Sequence, residues 1–405
     1  MNKGKKTQDS PTKARPESRR KAQKHPHVEV GKLESYILLV MCIGSLEAGF
    51  IYTTLFVLTL MTVAFAEMMQ LQANAEKEKM IQIKTRFIEW YFYFSAQFFM
   101  VSKTWMTYPL LQRSGMAPEV GSFAHLVLFQ YHNLVSFIAF TLGLILFVVS
   151  LQEGFYSYQF KRLGWTLLST FCIVIGCSGL TSVLWRNRLW FFYAITCVSV
   201  HNAVDYFFCH FFPKKTPIMM LKPEASFEGF AAGSIACFVY FYVTSIYLVK
   251  LDWFKQTPSH ITFNLRDAGA SHTEDGPLFE SNLRHLNIGG PIGSLEFTAS
   301  QVQIHLFIIT LFIAFIAPFA GFFIAGLKRA LRAQHLGAFN HRGGVIDRTE
   351  CIIVTGIFLM IYVNVLVYSN SGETSARIKE IISSMSDDAQ KELYYRLLKD
   401  IQSAG

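Results

Sequence analysis

Charge is what this sequence has least of. Asp, Glu, Lys and Arg make up 16% of its 405 residues, against 52% apolar residues. A soluble chain carries roughly 25% charged residues, so this one cannot solvate its own surface and must shed apolar area into lipid. Cysteine is also sparse. All seven (Cys42, Cys172, Cys177, Cys197, Cys209, Cys237 and Cys351) lie inside or at the edge of apolar stretches. None shows paired spacing in a polar loop, which argues against disulfides and a zinc site and for small packing residues. No apolar run precedes Tyr36, which argues against a secretory signal, and no amphipathic apolar stripe is present there for an organelle presequence. The first 33 positions instead hold ten of the 37 basic residues, three acids (Asp9, Glu17, Glu29) and Pro11, Pro16 and Pro26. Residues 1–34 therefore read as a disordered, basic, cytosolic tail. Because that tail concentrates the net charge of +9, the charge does not point to nucleic acid, and no nucleic-acid partner is expected.

Aromatic residues are abundant: 38 Phe, 17 Tyr and 6 Trp, a composition suited to lipid-facing and interfacial positions. Apolar stretches of about 20 residues, enough for one bilayer crossing, recur at Phe87 to Trp105, Asn133 to Leu151, Gly164 to Trp185, Leu189 to Cys209, Phe227 to Val249, Ile304 to Gly326 and Cys351 to Tyr368. The fold class predicted is all-α, a polytopic transmembrane helical protein with about eight or nine spans over 35–369. Tyr36 to Ala66 is long for one upright helix and short for two. Lys and Arg in short loops mark the cytoplasmic side. Counting spans places the loops at 67–86, 152–163, 210–226 and 327–350 on one face. A basic tail on that same face requires Tyr36 to Ala66 to cross twice, as a tight hairpin of two short helices.

The segment 251–300 has more acids than bases and reads as a lumenal loop on the other face. Residues 370–405 form a tail, partly helical, with a stripe at Ile378, Ile381, Ile382 and Met385. Neither an inverted repeat nor a line of intramembrane acids supports a transporter or channel, Glu47 being almost the only mid-span acid.

Two ionisable clusters share the predicted cytoplasmic face, where their proximity to helix ends calls for an explanation. One holds Lys214, Lys215, Lys222, Glu224 and Glu228. The other holds Lys328, Arg329, Arg332, Arg342, Asp347, Arg348 and Glu350, with His335, His341 and the pair Gly343-Gly344. Positive-inside topology alone supplies many of these cations. Adjacent glycines, however, let backbone amides approach an anion closely, and an acid follows three residues later. Asp347 and Glu350 lie on one face at the start of a membrane helix. They can share a divalent cation or offset the helix dipole; spacing leaves both roles open.

These motifs resemble those of the eukaryotic CDP-diacylglycerol synthases (phosphatidate cytidylyltransferases) over about 87–368. That family's signature has a Gly-Gly-Phe-Phe helix end, Lys-Arg, a spacer with Lys-Asp, then His-Gly-Gly, two apolar residues and Asp-Arg-x-Asp. This chain has Phe319-Ala320-Gly321-Phe322-Phe323, Lys328-Arg329, then Arg342-Gly343-Gly344-Val345-Ile346-Asp347-Arg348-Thr349-Glu350. Upstream, Thr216-Pro217 and Ser226-Phe227-Glu228-Gly229-Phe230 keep the family's frame, and Trp90-Tyr91-Phe92, Tyr131-His132 and Asn202 match in similar positions. The departures fall on polar positions. The family's paired lysines are Glu224 and Ala225 here, the acid after its Asn is Ala203, its Lys-Asp is Gln334-His335, its His is Arg342 and its last Asp is Glu350.

The resemblance implies transfer of the cytidylyl group of CTP to phosphatidate, with Mg²⁺ as cofactor and CTP, phosphatidate and bilayer lipid as partners; it leaves a homo-oligomer open. It implies catalytic roles for Asp347, Lys328, Arg329 and Arg348, substrate contacts from Lys222, Ser226, Glu228, Arg342, Gly343 and Gly344, and metal binding by Asp347 and Glu350. It also implies the endoplasmic reticulum as location. The polar substitutions motivate an alternative, a catalytically impaired relative acting as a lipid-binding or assembly partner.

Overall fold

The computed structural model describes residues 27–71, 85–104, 122–211, 226–258, 263, 270–272, 279, 281–287, 294–330, 344–368, 382 and 389–396. A backbone in hydrocarbon must satisfy its own polar groups, so the apolar runs become helices. These are α1 (His27–Ala48), α2 (Phe50–Leu71), α3 (Thr85–Thr104), α4 (His132–Val149), α5 (Tyr156–Arg186), α6 (Arg188–Phe211), α7 (Phe227–Tyr247), α8 (Gln301–Phe315), α9 (Phe319–Ala330) and α10 (Ile346–Tyr362). Among the described residues six helical stretches are long and apolar enough to cross a membrane: Phe50–Gln70, His132–Val149, Tyr156–Arg186, Phe227–Tyr247, Gln301–Ala330 and Ile346–Val367. The chain is therefore an integral membrane protein. The expected spans around 87–105 and 189–209 form helices, α3 and α6, that fall outside the six because polar residues such as Arg86, Glu89, Asn202 and Asp205 interrupt them.

Two differences from the expected layout concern the ends of the first run. The stretch 36–66 is two helices, α1 and α2, meeting at Gly49, whose φ of 136° suits glycine; each is 22 residues long, longer than the short pair expected. α1 begins at His27, inside the stretch 1–34 assigned to a disordered tail, directly after Pro26, the last helix breaker. The segment 251–300 departs from an all-α description. It carries two antiparallel hairpins, β1 (Gln256–Pro258) with β2 (Ala270–His272), and β3 (Ser281–Asn287) with β4 (Ser294–Ser300), the latter in register Ser281↔Ser300 to Asn287↔Ser294. Leu283, Leu286 and Phe297 are spaced among polar residues that had suggested only a loop. In the carboxy-terminal tail, 389–396 is helical; of the predicted stripe, Ile378, Ile381 and Met385 lie outside the described residues.

Contacts between helices fix which loops share an end of the bundle. At one end, Trp165 Nε1 donates to Met68 O (3.2 Å), Gln159 Nε2 to Ser150 O (2.9 Å), and Arg162 pairs with Glu89. At the other, Trp185 Nε1 donates to Thr54 Oγ1 (3.0 Å), Trp190 Nε1 to Tyr368 OH (3.2 Å), and Gln303 Nε2 to Ser245 O (3.2 Å). The described helix ends Leu71, Phe211 and Ala330, with the turn at 151–155, thus lie at the first, basic end, and the hairpin segment sits at the second.

α5 and α10 pack backbone to backbone. A Cβ added at Gly179 would collide with the Gly356 carbonyl, and one at Gly176 would lie 2.7 Å from Ile353 O. Small residues let membrane helices approach this closely, and the seam holds α10 at a fixed height in the bundle. Gly179→Ala should therefore lower stability by about 1–3 kcal/mol. Gly164→Ala in the same helix, where nothing lies within 4 Å, should leave it unchanged or raise it. Thermal unfolding in detergent compares the two, and equal melting temperatures would contradict the seam.

Pro318 separates α8 from α9. It has no N–H to continue the helix, and Ala317 N instead reaches Phe312 O at 3.0 Å. The redirected α9 ends on Lys328 and Arg329.

Candidate active site

α10 begins at the basic end, and its first turn gathers the candidate residues. Val345 stands at the N-cap position without a capping side chain. The need is met from elsewhere: Ile346 N–H donates to Glu67 Oε2 at 3.0 Å, from the last turns of α2. Glu67 is 3% exposed and close enough to feel the charges of Asp347 and Arg348. Next to it in the first turn, Asp347 accepts from Gly344 N–H at Oδ2 (3.3 Å) and pairs at Oδ1 with Lys328 Nζ from the end of α9. That ion pair is 23% and 24% exposed, so it is screened less than a surface pair yet open to a ligand. Two carboxylates at a helix amino terminus complement the partial positive charge there.

The structure thus brings Lys328, Gly344 and Asp347 together. Arg348 and Glu350 are half-buried on the same turn of α10, and Arg329 is exposed beside Lys328. Lys222, Arg342 and Gly343 lie outside the described residues, as do His335 and Glu224.

Among the described residues no three His, Cys, Asp or Glu side chains gather as a metal-holding group. Magnesium does not require three, because it is commonly held by one or two carboxylates together with substrate phosphates and water. The hard oxygen donors of Asp347 and Glu350 suit it, and both oxygens of Asp347 already meet positive or N–H groups.

The second cluster is built where α6 ends and α7 begins. Ser226, 2% exposed, caps α7 by accepting from Gly229 N–H at 3.1 Å, and its hydroxyl also lies 3.1 Å from Cys209 Sγ. Ser226 therefore positions the helix that presents Glu228, which is half-buried. A Cβ at Gly229 would strike the Asp205 carboxylate and lie 2.8 Å from the Asp205 carbonyl, which explains the glycine after Glu228. Ser234 Oγ donates to Ala314 O at 3.0 Å, so α7 and α8 run side by side and Ser226 lies at the same end as Lys328.

Sequence reasoning missed Glu67. It follows directly on the apolar run that closes at Ala66, and a rare acid at that edge was the available signal. Removing the cap by Glu67→Ala should cost about 1 kcal/mol of stability. By loosening the first turn that carries Asp347 it should also lower turnover about tenfold, while Glu67→Gln, still an acceptor, should retain most of both. Melting temperature and initial rate check this. Unchanged rates in the alanine variant would deny the cap a role in positioning Asp347.

A family profile described as cytidylyltransferase family matches residues 33–366. The chain is 29% identical over 364 residues to a probable phosphatidate cytidylyltransferase of Dictyostelium discoideum, covering 86% of this chain and 72% of that protein. It is 25% identical over 361 residues to phosphatidate cytidylyltransferase 1 of Arabidopsis thaliana, covering 87% and 83%. With a putative phosphatidate cytidylyltransferase of Schizosaccharomyces pombe it shares 26% identity over 375 residues, covering 91% and 82%.

Proposed function

Because the chain belongs to the cytidylyltransferase family, matched over 33–366, we propose that it is a CTP:phosphatidate cytidylyltransferase of the endoplasmic reticulum with its basic end in the cytosol. The names carried by its relatives support the substrates, and the positive-inside rule supports the orientation. The observation that carries the reading is the Lys328 and Asp347 pair at the amino terminus of α10, where a cation and a carboxylate hold each other at the membrane surface.

In the reaction, an oxygen of the phosphatidate phosphate attacks the α-phosphorus of CTP. A new P–O bond forms, the bond to the bridging oxygen breaks, and pyrophosphate leaves with the electron pair. Such a transfer is mostly positioning and charge neutralisation. Asp347 with Glu350 would hold Mg²⁺, which would neutralise charge on the phosphates. Lys328 has a flexible stem at the mouth of the site, so its ammonium can exchange Asp347 for a phosphate oxygen. Arg329 and Arg348 supply guanidinium groups to the phosphates of the two substrates, and Arg342 and Lys222 are assigned to the same phosphates from the sequence. Gly343-Gly344 is the pair whose small residues let a triphosphate approach the backbone, the Gly344 N–H exchanging Asp347 for a phosphate oxygen. Glu67 and Ser226 fix the helix ends that carry Asp347 and Glu228.

The test is incorporation of labelled CTP into lipid by the purified full chain. Product should require both phosphatidate and Mg²⁺. No product above that of an Asp347→Ala control would set the enzymatic reading aside in favour of a non-catalytic role.

A further inference from the structure

α6 and α7 meet along a closed seam. Gly229 packs on Asp205 and Cys209, and Gly233 on His201, where an added Cβ would come within 3.0 Å of the His201 carbonyl. One step around both helices the surfaces part. They leave a groove with a cavity volume of about 800 Å³, within the roughly 300–1,000 Å³ typical of ligand sites.

Its α7 wall repeats at helical spacing through Glu228, Ala232, Ile235, Val239 and Val243. Three alanines, at 231, 232 and 236, give it depth. Ile235 is 64% exposed on a helix apolar enough to span a membrane, so the groove opens to hydrocarbon. Glu228 is its single charged lining residue, at the end shared with Ser226 and, by the helix order, with Lys328.

The geometry points to this groove as the seat of one acyl chain of the phosphate-headed lipid substrate, an assignment that rests on the proposed function and adds to it a determinant of chain selectivity. From Glu228 to Val243 the wall runs about 22 Å at 1.5 Å per residue, longer than the roughly 15 Å of one leaflet's half of the hydrocarbon core. A full-length chain therefore fits along it. Apart from Glu228 the described lining carries no charged side chain, so the groove accepts the uncharged tail and leaves the headgroup to the cations Lys328 and Arg329 at the same end. Its depth, and an end that reaches the first turn of α7 at Glu228, separate this groove from an ordinary lipid-facing surface.

Ala236 lies about 12 Å along α7 from Glu228, beyond the reach of a short chain. In the full chain, Ala236→Phe should lower kcat/KM for dioleoyl phosphatidate about tenfold while leaving dioctanoyl phosphatidate within about twofold, the short-chain rate also reporting that the variant is folded. Equal rates with both lipids in variant and parent would mean that the groove holds bulk lipid only. Equal loss with both, accompanied by a change in oligomeric state, would mean that a second copy covers it. Both results overturn the proposal. A phosphatidate with a mid-chain diazirine, in phosphatidylcholine vesicles, provides a readout without turnover. Adducts on 231–243, diminished in Ala236→Phe, support the chain site even if no nucleotide is transferred, and adducts confined elsewhere refute it.

Discussion

Asp347→Ala should lower the rate of cytidylyl transfer by about 10³-fold, equivalent to about 4 kcal/mol of transition-state stabilisation. The size follows from the position. Asp347 is the point at which α9 and α10 meet through Lys328, and its second oxygen holds Gly344 in place. Removing it takes away the carboxylate assigned to the metal and also frees the Lys328 ammonium and the Gly344 amide from their shared partner. The fold should survive, because the pair is only partly buried and partly exposed pairs contribute little to stability. The check is initial rate at saturating CTP together with a melting curve. A variant that melts like the parent but keeps more than a tenth of its rate would contradict the role given to Asp347. Lys328→Ala should act more on KM for the phosphate-bearing substrates than on stability, since its partner retains solvent access.

The second large effect is on stability and lies away from the reacting groups. Arg162 pairs with Glu89 through two nitrogens, Nη2 to Oε2 at 3.1 Å, and donates from Nη1 to Tyr158 OH at 2.9 Å. Both side chains are about 95% buried, at 4% and 5% exposure. Taking one partner away leaves a charge in a medium that cannot solvate it, so Arg162→Met should destabilise by about 3–5 kcal/mol. The double change Glu89→Leu with Arg162→Met removes both charges and should recover much of that loss, because a buried pair repays little more than its own desolvation. Denaturation of the two variants in one detergent makes the comparison. A double variant less stable than Arg162→Met would show that the pair holds α3 to α5 by more than mutual neutralisation.

What the sequence made legible follows the range of the interaction. Lys328, Arg329, Asp347 and Glu350 stand out locally, as cations and acids at the ends of apolar runs, and the structure joins Lys328 to Asp347 across 19 positions of chain. Glu67 caps Ile346 across 279 positions, and no local pattern pairs an acid in the last turns of one helix with the first amide of another. The same holds for the seam at Gly179 and Gly356: each glycine alone is only a weak helix residue, and its reason appears when the two backbones touch. Ser226 illustrates a different gap. Its position in a family frame suggested a substrate contact, and the structure adds a role that the frame did not indicate, the cap of α7. The hairpins in 251–300 were hidden because two short strands of mixed composition give too few alternations to read against a loop.

The account turns on which bond of the nucleotide is broken. The most direct measurement supplies CTP labelled either at the α- or at the γ-phosphorus to the purified chain with phosphatidate and Mg²⁺, then separates lipid from water-soluble product. Transfer of a cytidylyl group predicts α-label in the lipid fraction and γ-label in pyrophosphate. Label from the γ-position in the lipid, or from neither position, would contradict it.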